Sequence, residues 1–179
     1  MTRIREARDE DALDLIELIG SCFGEYVGCV LDVDGELPEL RALASWAAAR
    51  GGTFWVAEQG ESGRVVAMGG FTRAERSSGP EGFAPRGAGV ELRKLYVHRR
   101  ARAGGLGGKI LDLVEAAAQE REAAFVEMWS DTRFTTAHRF YERRGYLRGP
   151  STRDLHDLSH SVEHYFKKEL GVPAPTGGA

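Results

Sequence analysis

The sequence predicts an α+β domain, and three observations predict it. Residues 53–58 and 64–73 read as an antiparallel hairpin, because runs rich in β-branched and aromatic residues flank the turn Gln59-Gly60-Glu61-Ser62-Gly63. Residues 90–97 read as a strand that passes through a glycine-rich turn into an amphipathic helix. On that helix Leu106, Ile110, Leu113, Val114 and Ala117 share one face, and Lys109, Asp112, Glu115 and Glu120 lie toward the other. A further strand at 125–129, a helix at 134–144 and a closing strand at 162–170 complete the pattern. At 179 residues the chain suggests one domain with a shared core.

In chain order, Ile4 and Ala7 lie in a short opening strand. Asp9 or Asp11 then caps a helix carrying Leu13, Ile16, Leu18, Ile19 and Phe23, which Gly24 ends. Between Glu25 and Glu39 acids alternate with apolar residues, which predicts a short helix and a loop. That segment is either a solvated face or an acidic wall for a cationic amine. Pro38 suits the first turn of the next helix, whose apolar residues are Leu40, Leu43, Ala44, Ala47 and Ala48. Gly69-Gly70 inside a strand predicts a bulge or the close approach of another backbone. Residues 74–89, with serines, prolines and glycines, read as a long mobile hairpin connection. Ser130-Asp131-Thr132 supplies polar caps for the helix from Phe134, which ends at Gly145 and leads into Tyr146-Leu147. The domain is expected to span 1–170, with 171–179 a disordered tail.

Composition excludes several classes. A hydrophobic content of 42% with 28% charged residues is that of an ordinary globular domain, and the net charge of -3 argues against general nucleic-acid affinity. No apolar run is long enough to span a bilayer, and the chain opens on charges, so a cytoplasmic protein without membrane or nucleic-acid partners is expected. Cys22 and Cys29 match neither a disulfide framework nor a zinc spacing and read as reduced thiols. His156, His160 and His164 recur every four residues, but the last falls in the predicted closing strand, so no metal site is expected.

The chemistry concentrates between Leu95 and Ile110. Glycines at 104, 105, 107 and 108 let a ligand approach the main chain, and the first N–H groups of the following helix lack carbonyl partners. That is a cradle for phosphate oxygens, with Arg99, Arg100 and Arg102 at its mouth. A Walker A loop is excluded because Ala103 stands at its first glycine and Ile110 at its hydroxyl position. The dinucleotide fingerprint is excluded because Ile110 occupies its third glycine position. What fits is a strand, Arg102-x-x-Gly105-x-Gly107, then a helix.

This loop, with Leu95-Tyr96-Val97 before it, resembles the acyl-CoA pyrophosphate loop of the GNAT superfamily of N-acetyltransferases. A second stretch, Ala137-His138-Arg139-Phe140-Tyr141-Glu142-Arg143-Arg144-Gly145-Tyr146, resembles that family's signature after its fifth strand, and the resemblance covers roughly residues 3 to 170. It implies a mixed, mostly antiparallel sheet whose fourth and fifth strands splay to admit the pantetheine arm of acetyl-CoA. Main chain around Leu95, Tyr96 and Val97 would meet that arm. Arg102, Ala103, Gly104, Gly105, Leu106, Gly107 and Gly108 would hold the pyrophosphate.

By the same resemblance Tyr141 is the candidate general acid toward the CoA sulfur; otherwise it is a core aromatic in step with Phe134 and Ala137. Glu91 is a candidate base or water holder, or else an ordinary outward charge on its strand. The N–H near Leu95 or Tyr96 would face the thioester oxygen. Phe134 stands where many members carry an Asn that contacts pantetheine, and His138 reads as an exposed helix residue or a second proton carrier. Neither cysteine neighbours a signature, so direct attack in a ternary complex is expected. The acceptor would be a primary amine of a small molecule or peptide. The alternative is an acyl-CoA sensor that does not turn over. Dimerisation is neither required nor excluded.

Overall fold

A computed structural model describes residues 2–60 and 63–171, so the expected tail beyond Gly171 lies outside the described residues. Seven strands, β1 (Thr2–Glu6), β2 (Thr53–Gln59), β3 (Arg64–Ala74), β4 (Gly89–Val97), β5 (Phe125–Asp131), β6 (Leu147–Asp154) and β7 (Val162–Glu169), form one sheet in the order β1-β2-β3-β4-β5-β7-β6. All neighbours are antiparallel except β4 and β5. Helices α1 (Ala12–Phe23) and α2 (Leu43–Ala48) cover one face, and α3 (Leu106–Glu120) and α4 (Thr135–Arg143) the other.

Each layer follows from its apolar spacing. In α1 Leu15, Leu18, Ile19 and Cys22 fall on one stripe and bury against Phe54, Val56 and Met68 of the sheet. Burying each large side chain of that set is worth roughly 1.5–3 kcal/mol. Leu13, expected on that stripe, is 80% exposed; its position points it off the face that Leu15 opens. The helix start also differs from expectation. Asp11 accepts from the Arg8 N–H at 2.8 Å across a 3-10 turn at Asp9–Asp11, whereas Asp9 reaches away and accepts from the amide and hydroxyl of Ser45 in the first turn of α2. Across the sheet, Leu111, Val114 and Tyr141 pack on Phe71, Leu92, Val126, Met128 and Phe166.

Two features of the sheet make the site. First, β4 and β5 pair only at Val90↔Val126 and Glu91↔Glu127. Beyond those pairs β4 stays with β3 as far as Ala67↔Val97, and β5 stays with β7 as far as Asp131↔Glu163. The sheet therefore splits into a V, which leaves Leu95–Val97 only half-buried although they lie in a central strand. Second, β4 carries a bulge. Met68 faces Tyr96 and Gly70 faces Arg93, so Lys94 and Leu95 together oppose Gly69. The glycine pair is needed there: a Cβ on Gly69 would come within 2.8 Å of Leu95 and 2.9 Å of Ile110, and one on Gly70 would strike Thr53 and Phe54.

The connection from β3 to β4 is pinned, contrary to the mobile loop expected. Glu127, wholly buried on β5, accepts from Ser78 N at 2.9 Å, Ser78 Oγ at 3.0 Å, Tyr165 Oη at 2.6 Å and from Ser77 Oγ. A buried carboxylate needs that many donors, and the serine-rich composition read as loose supplies them.

Candidate active site

The V between β4 and β5 opens into a cleft of about 940 Å³. Its walls hold Glu91, Leu95, Tyr96, Val97, Arg102, Gly105, Gly107, Gly108 and Tyr141, so most of the expected site residues meet in one place. Ala103, Gly104 and Leu106 are not among its lining residues, and Leu106 is a core residue beside Ala101 and Ile110.

At one end the cradle has the expected form. Arg99–Gly104 makes a 3-10 turn, Gly105 takes the left-handed conformation at φ 68°, and α3 begins at Leu106. A β-carbon at Gly105 or Gly108 would meet nothing within 4 Å, so no packing inside the protein keeps Gly108 bare. Open space above unpaired helix N–H groups suits a phosphate-bearing ligand. Arg102, however, is already engaged. Its Nη1 and Nη2 donate to both Glu25 carboxylate oxygens at 2.8 and 2.6 Å, and its Nε donates to the Val97 carbonyl at 3.0 Å.

Midway, Tyr141 projects from α4 onto the cleft. Its hydroxyl has no hydrogen-bond partner among the described residues and is not sealed away, so it opens on the cavity. Burial pushes its phenol up, which keeps it protonated. One turn earlier on α4, His138 is buried rather than exposed, with Nε2 3.2 Å from Ser130 Oγ on the cleft wall. Burial lowers its imidazole, as do Arg148 and His164 nearby.

At the far end Glu91 is mostly buried where the strands part. Burial pushes its carboxyl up, opposed by Arg93 at 2.7 Å and reinforced by Glu127 and Glu163. The rim here is double: Val30 N donates to Ser159 Oγ at 2.8 Å, and Leu158 N to Glu36 at 2.7 Å, which joins the 25–37 segment to the β6–β7 connection. Burial works against the Asp131 carboxyl, but the Arg133 guanidinium and amide hold it below its usual range. Phe134, in place of a polar residue, packs against Tyr26 with the rings tilted and their centres 4.8 Å apart, and lies 6.3 Å from Phe23. His156 and His160 lie in the β6–β7 connection and His164 in β7, so the three do not share a helix.

The long-range partners were not visible in the sequence. Glu25 stands 77 residues from Arg102, and no local pattern joins them. The sequence marks Ser130 only as a helix cap and leaves His138 as an exposed helix residue or a second proton carrier; their contact is what the fold adds.

The cleft thus has a split sheet, a glycine cradle at one end, and a phenol and a carboxyl on its walls. The family model of the acetyltransferase (GNAT) domain matches residues 50–147, and the chain belongs to that family of acetyltransferases. A GNAT-family acetyltransferase of Staphylococcus aureus Mu50 superposes with a TM-score of 0.75 at 19% identity, covering 96% of this chain and 100% of that one. The yncA protein of Salmonella typhimurium, in a structure with its cofactor acetyl-CoA, has a TM-score of 0.67 at 17% identity over 100% of this chain and 99% of its own. A ribosomal-protein-alanine N-acetyltransferase of Brucella melitensis has a TM-score of 0.66 at 21% identity over 94% and 99%. No curated protein matches the chain in sequence. Among the described residues no helix is long and apolar enough to cross a membrane.

Proposed function

We propose that the protein transfers the acetyl group of acetyl-CoA to a primary amine of a small molecule or peptide by direct attack. The observation that carries this is the Tyr141 hydroxyl, unpartnered and open on the same cleft that Glu91 lines. The family membership, the acetyl-CoA in the yncA structure and the N-acetyl transfer named for the Brucella neighbour support it.

Acetyl-CoA supplies the activated acyl carbon. The first turn of α3 at Gly105, Gly107 and Gly108 would hold its pyrophosphate, and the free edge of β4 at Leu95 to Val97 its pantetheine. An alkyl amine titrates near 10, so it must lose a proton before attack. Glu91, whose carboxyl burial pushes up, would take that proton directly or through water. As the N–C bond forms and the C–S bond breaks, Tyr141 donates its proton to the departing sulfur. Raised itself, it still carries that proton at neutral pH. The main-chain N–H at the β4 bulge faces the carbonyl oxygen as its charge grows. No enzyme-bound acyl group is needed. The free thiols Cys22 and Cys29 suit the cytoplasmic setting this reading implies.

The test is calorimetric titration of acetyl-CoA and CoA, followed by thiol release against a panel of amines with Tyr141→Phe alongside. Binding with amine-dependent release that collapses in the variant is expected. Binding without release from any amine would instead favour a sensing module, and no binding would overturn the cradle.

A further inference from the structure

Lys94 sits in the bulge of β4 in the left-handed conformation, φ 51°, which a residue with a β-carbon disfavours. Such a conformation persists only where its surroundings hold it. What holds it is visible: Lys94 Nζ lies 2.7 Å from Glu39 Oε1, with the two side chains only 12% and 15% exposed. Glu39 is itself fixed, because it belongs to the 3-10 turn Pro38–Ala42 that the buried Leu40 anchors among Leu15, Leu43 and Phe54. Both ends of the pair line the cleft. Lys94 and Leu95 are the β4 residues without a register partner on β3, so the ladder that would otherwise set this main chain is interrupted where the pair attaches. Burial lowers the lysine and Glu39 opposes that, so the contact is a desolvated one.

We propose that Lys94 is a positioning residue: its ion pair with Glu39 clamps the β4 bulge so that the Leu95 and Tyr96 amides keep a fixed aim into the cleft. The inference rests on the acetyl-transfer reading for its catalytic consequence but not for the clamp itself. A tether between the bulge and the 3-10 turn also joins the wall that meets the acyl donor to the wall that meets the acceptor. Loosening it displaces a donor that acts only as charge develops, so it lowers kcat and leaves KM for acetyl-CoA in place.

The experiment is a double-mutant cycle with Glu39→Ala, Lys94→Met and the pair together, read in two ways on the full chain. The first readout is the backbone order parameter of the Leu95 amide by nitrogen relaxation, without any ligand. It should be near the rigid value of about 0.85 in the natural protein and fall toward about 0.6 in each variant, with Met68 and Ala67 on β3 unchanged. The second is kcat, expected to fall roughly 10²-fold in each single variant and no further in the double. An unchanged order parameter overturns the clamp, whether or not any amine turns over. Losses of kcat that multiply in the double variant, or that fall on KM alone, overturn the positioning role. Lys94→Gly separates backbone preference from tether: full kcat in that variant would mean that the bulge needs only a residue tolerant of positive φ.

Discussion

Glu25→Gln should make the protein bind CoA more tightly. In the free chain the Glu25 carboxylate lies on Arg102 in a two-point contact at 2.6 and 2.8 Å, at the mouth where the pyrophosphate would arrive. Two unit charges about 4 Å apart interact by about 1 kcal/mol in water and about 4 kcal/mol at a protein surface. Arg102 is 41% exposed and Glu25 25%, so solvent screens the pair toward the lower figure, and exposed pairs contribute at most about 1 kcal/mol. Exchanging Glu25 for a phosphate oxygen costs that amount, and the carboxylate also repels the incoming anion. Both effects have one sign. Removing the charge should tighten CoA by about fivefold, which corresponds to about 1 kcal/mol. Calorimetric titration measures this, and S-acetylpantetheine, which lacks the pyrophosphate, serves as the control and should bind both proteins alike. Weaker or equal CoA binding by Glu25→Gln would refute the reasoning and make Glu25 the residue that orients Arg102.

Tyr141→Phe should lower kcat by about 10²- to 10⁴-fold at unchanged acetyl-CoA affinity. Because burial raises the phenol, the rate of the natural protein should show no alkaline loss from this group up to about pH 10, as a pH–rate profile checks. Glu91→Gln should remove the acid limb of kcat/KM, a limb displaced above the ordinary glutamate value of about 4.3. Since the folded value of Glu91 is raised, its contribution to stability is full below the unfolded value and is lost as pH rises through the folded one. Denaturant unfolding should therefore find Glu91→Gln more stable than the natural protein at neutral pH and equal to it below about pH 4. Glu127→Ala strands the Ser77, Ser78 and Tyr165 donors and should cost about 3 kcal/mol in the same assay, with protease cutting first in residues 74–89.

The parts of the molecule that depend on local pattern were legible from the residues alone. Period-two and helical spacing located β2 to β5 and α3 within a residue or two, and Gly69-Gly70 pointed to a bulge or a close backbone approach; the fold has both, a bulge on β4 opposite Gly69 and the Thr53–Phe54 backbone against Gly70. The glycine cradle follows from its spacing between a strand and a helix, whereas its proposed pyrophosphate and the part assigned to Tyr141 come from the resemblance to the acetyltransferase family. What stayed hidden depends on residues far apart in sequence. Serines in 74–89 look like loop residues until Glu127, 49 residues from Ser78, shows what they bind. Leu13 looks like a core residue until the buried stripe is found to run through Leu15, Leu18, Ile19 and Cys22, because two residues of α-helix turn Leu13 to the side opposite Leu15. Glu25 and Glu39 sit in one acidic run with no sign that each is taken by a particular cation across the cleft. β6 was read only as far as Leu147, because its residues through Asp154 are half polar and include a proline.

The most direct test of acetyl transfer by direct attack is the release of CoA thiol in the first turnover after the protein is mixed with acetyl-CoA, with and without an amine that supports turnover. Direct attack with Tyr141 as acid predicts release only when amine is present, and its near disappearance in Tyr141→Phe. A stoichiometric burst of thiol without amine would reveal an acyl-enzyme and contradict it.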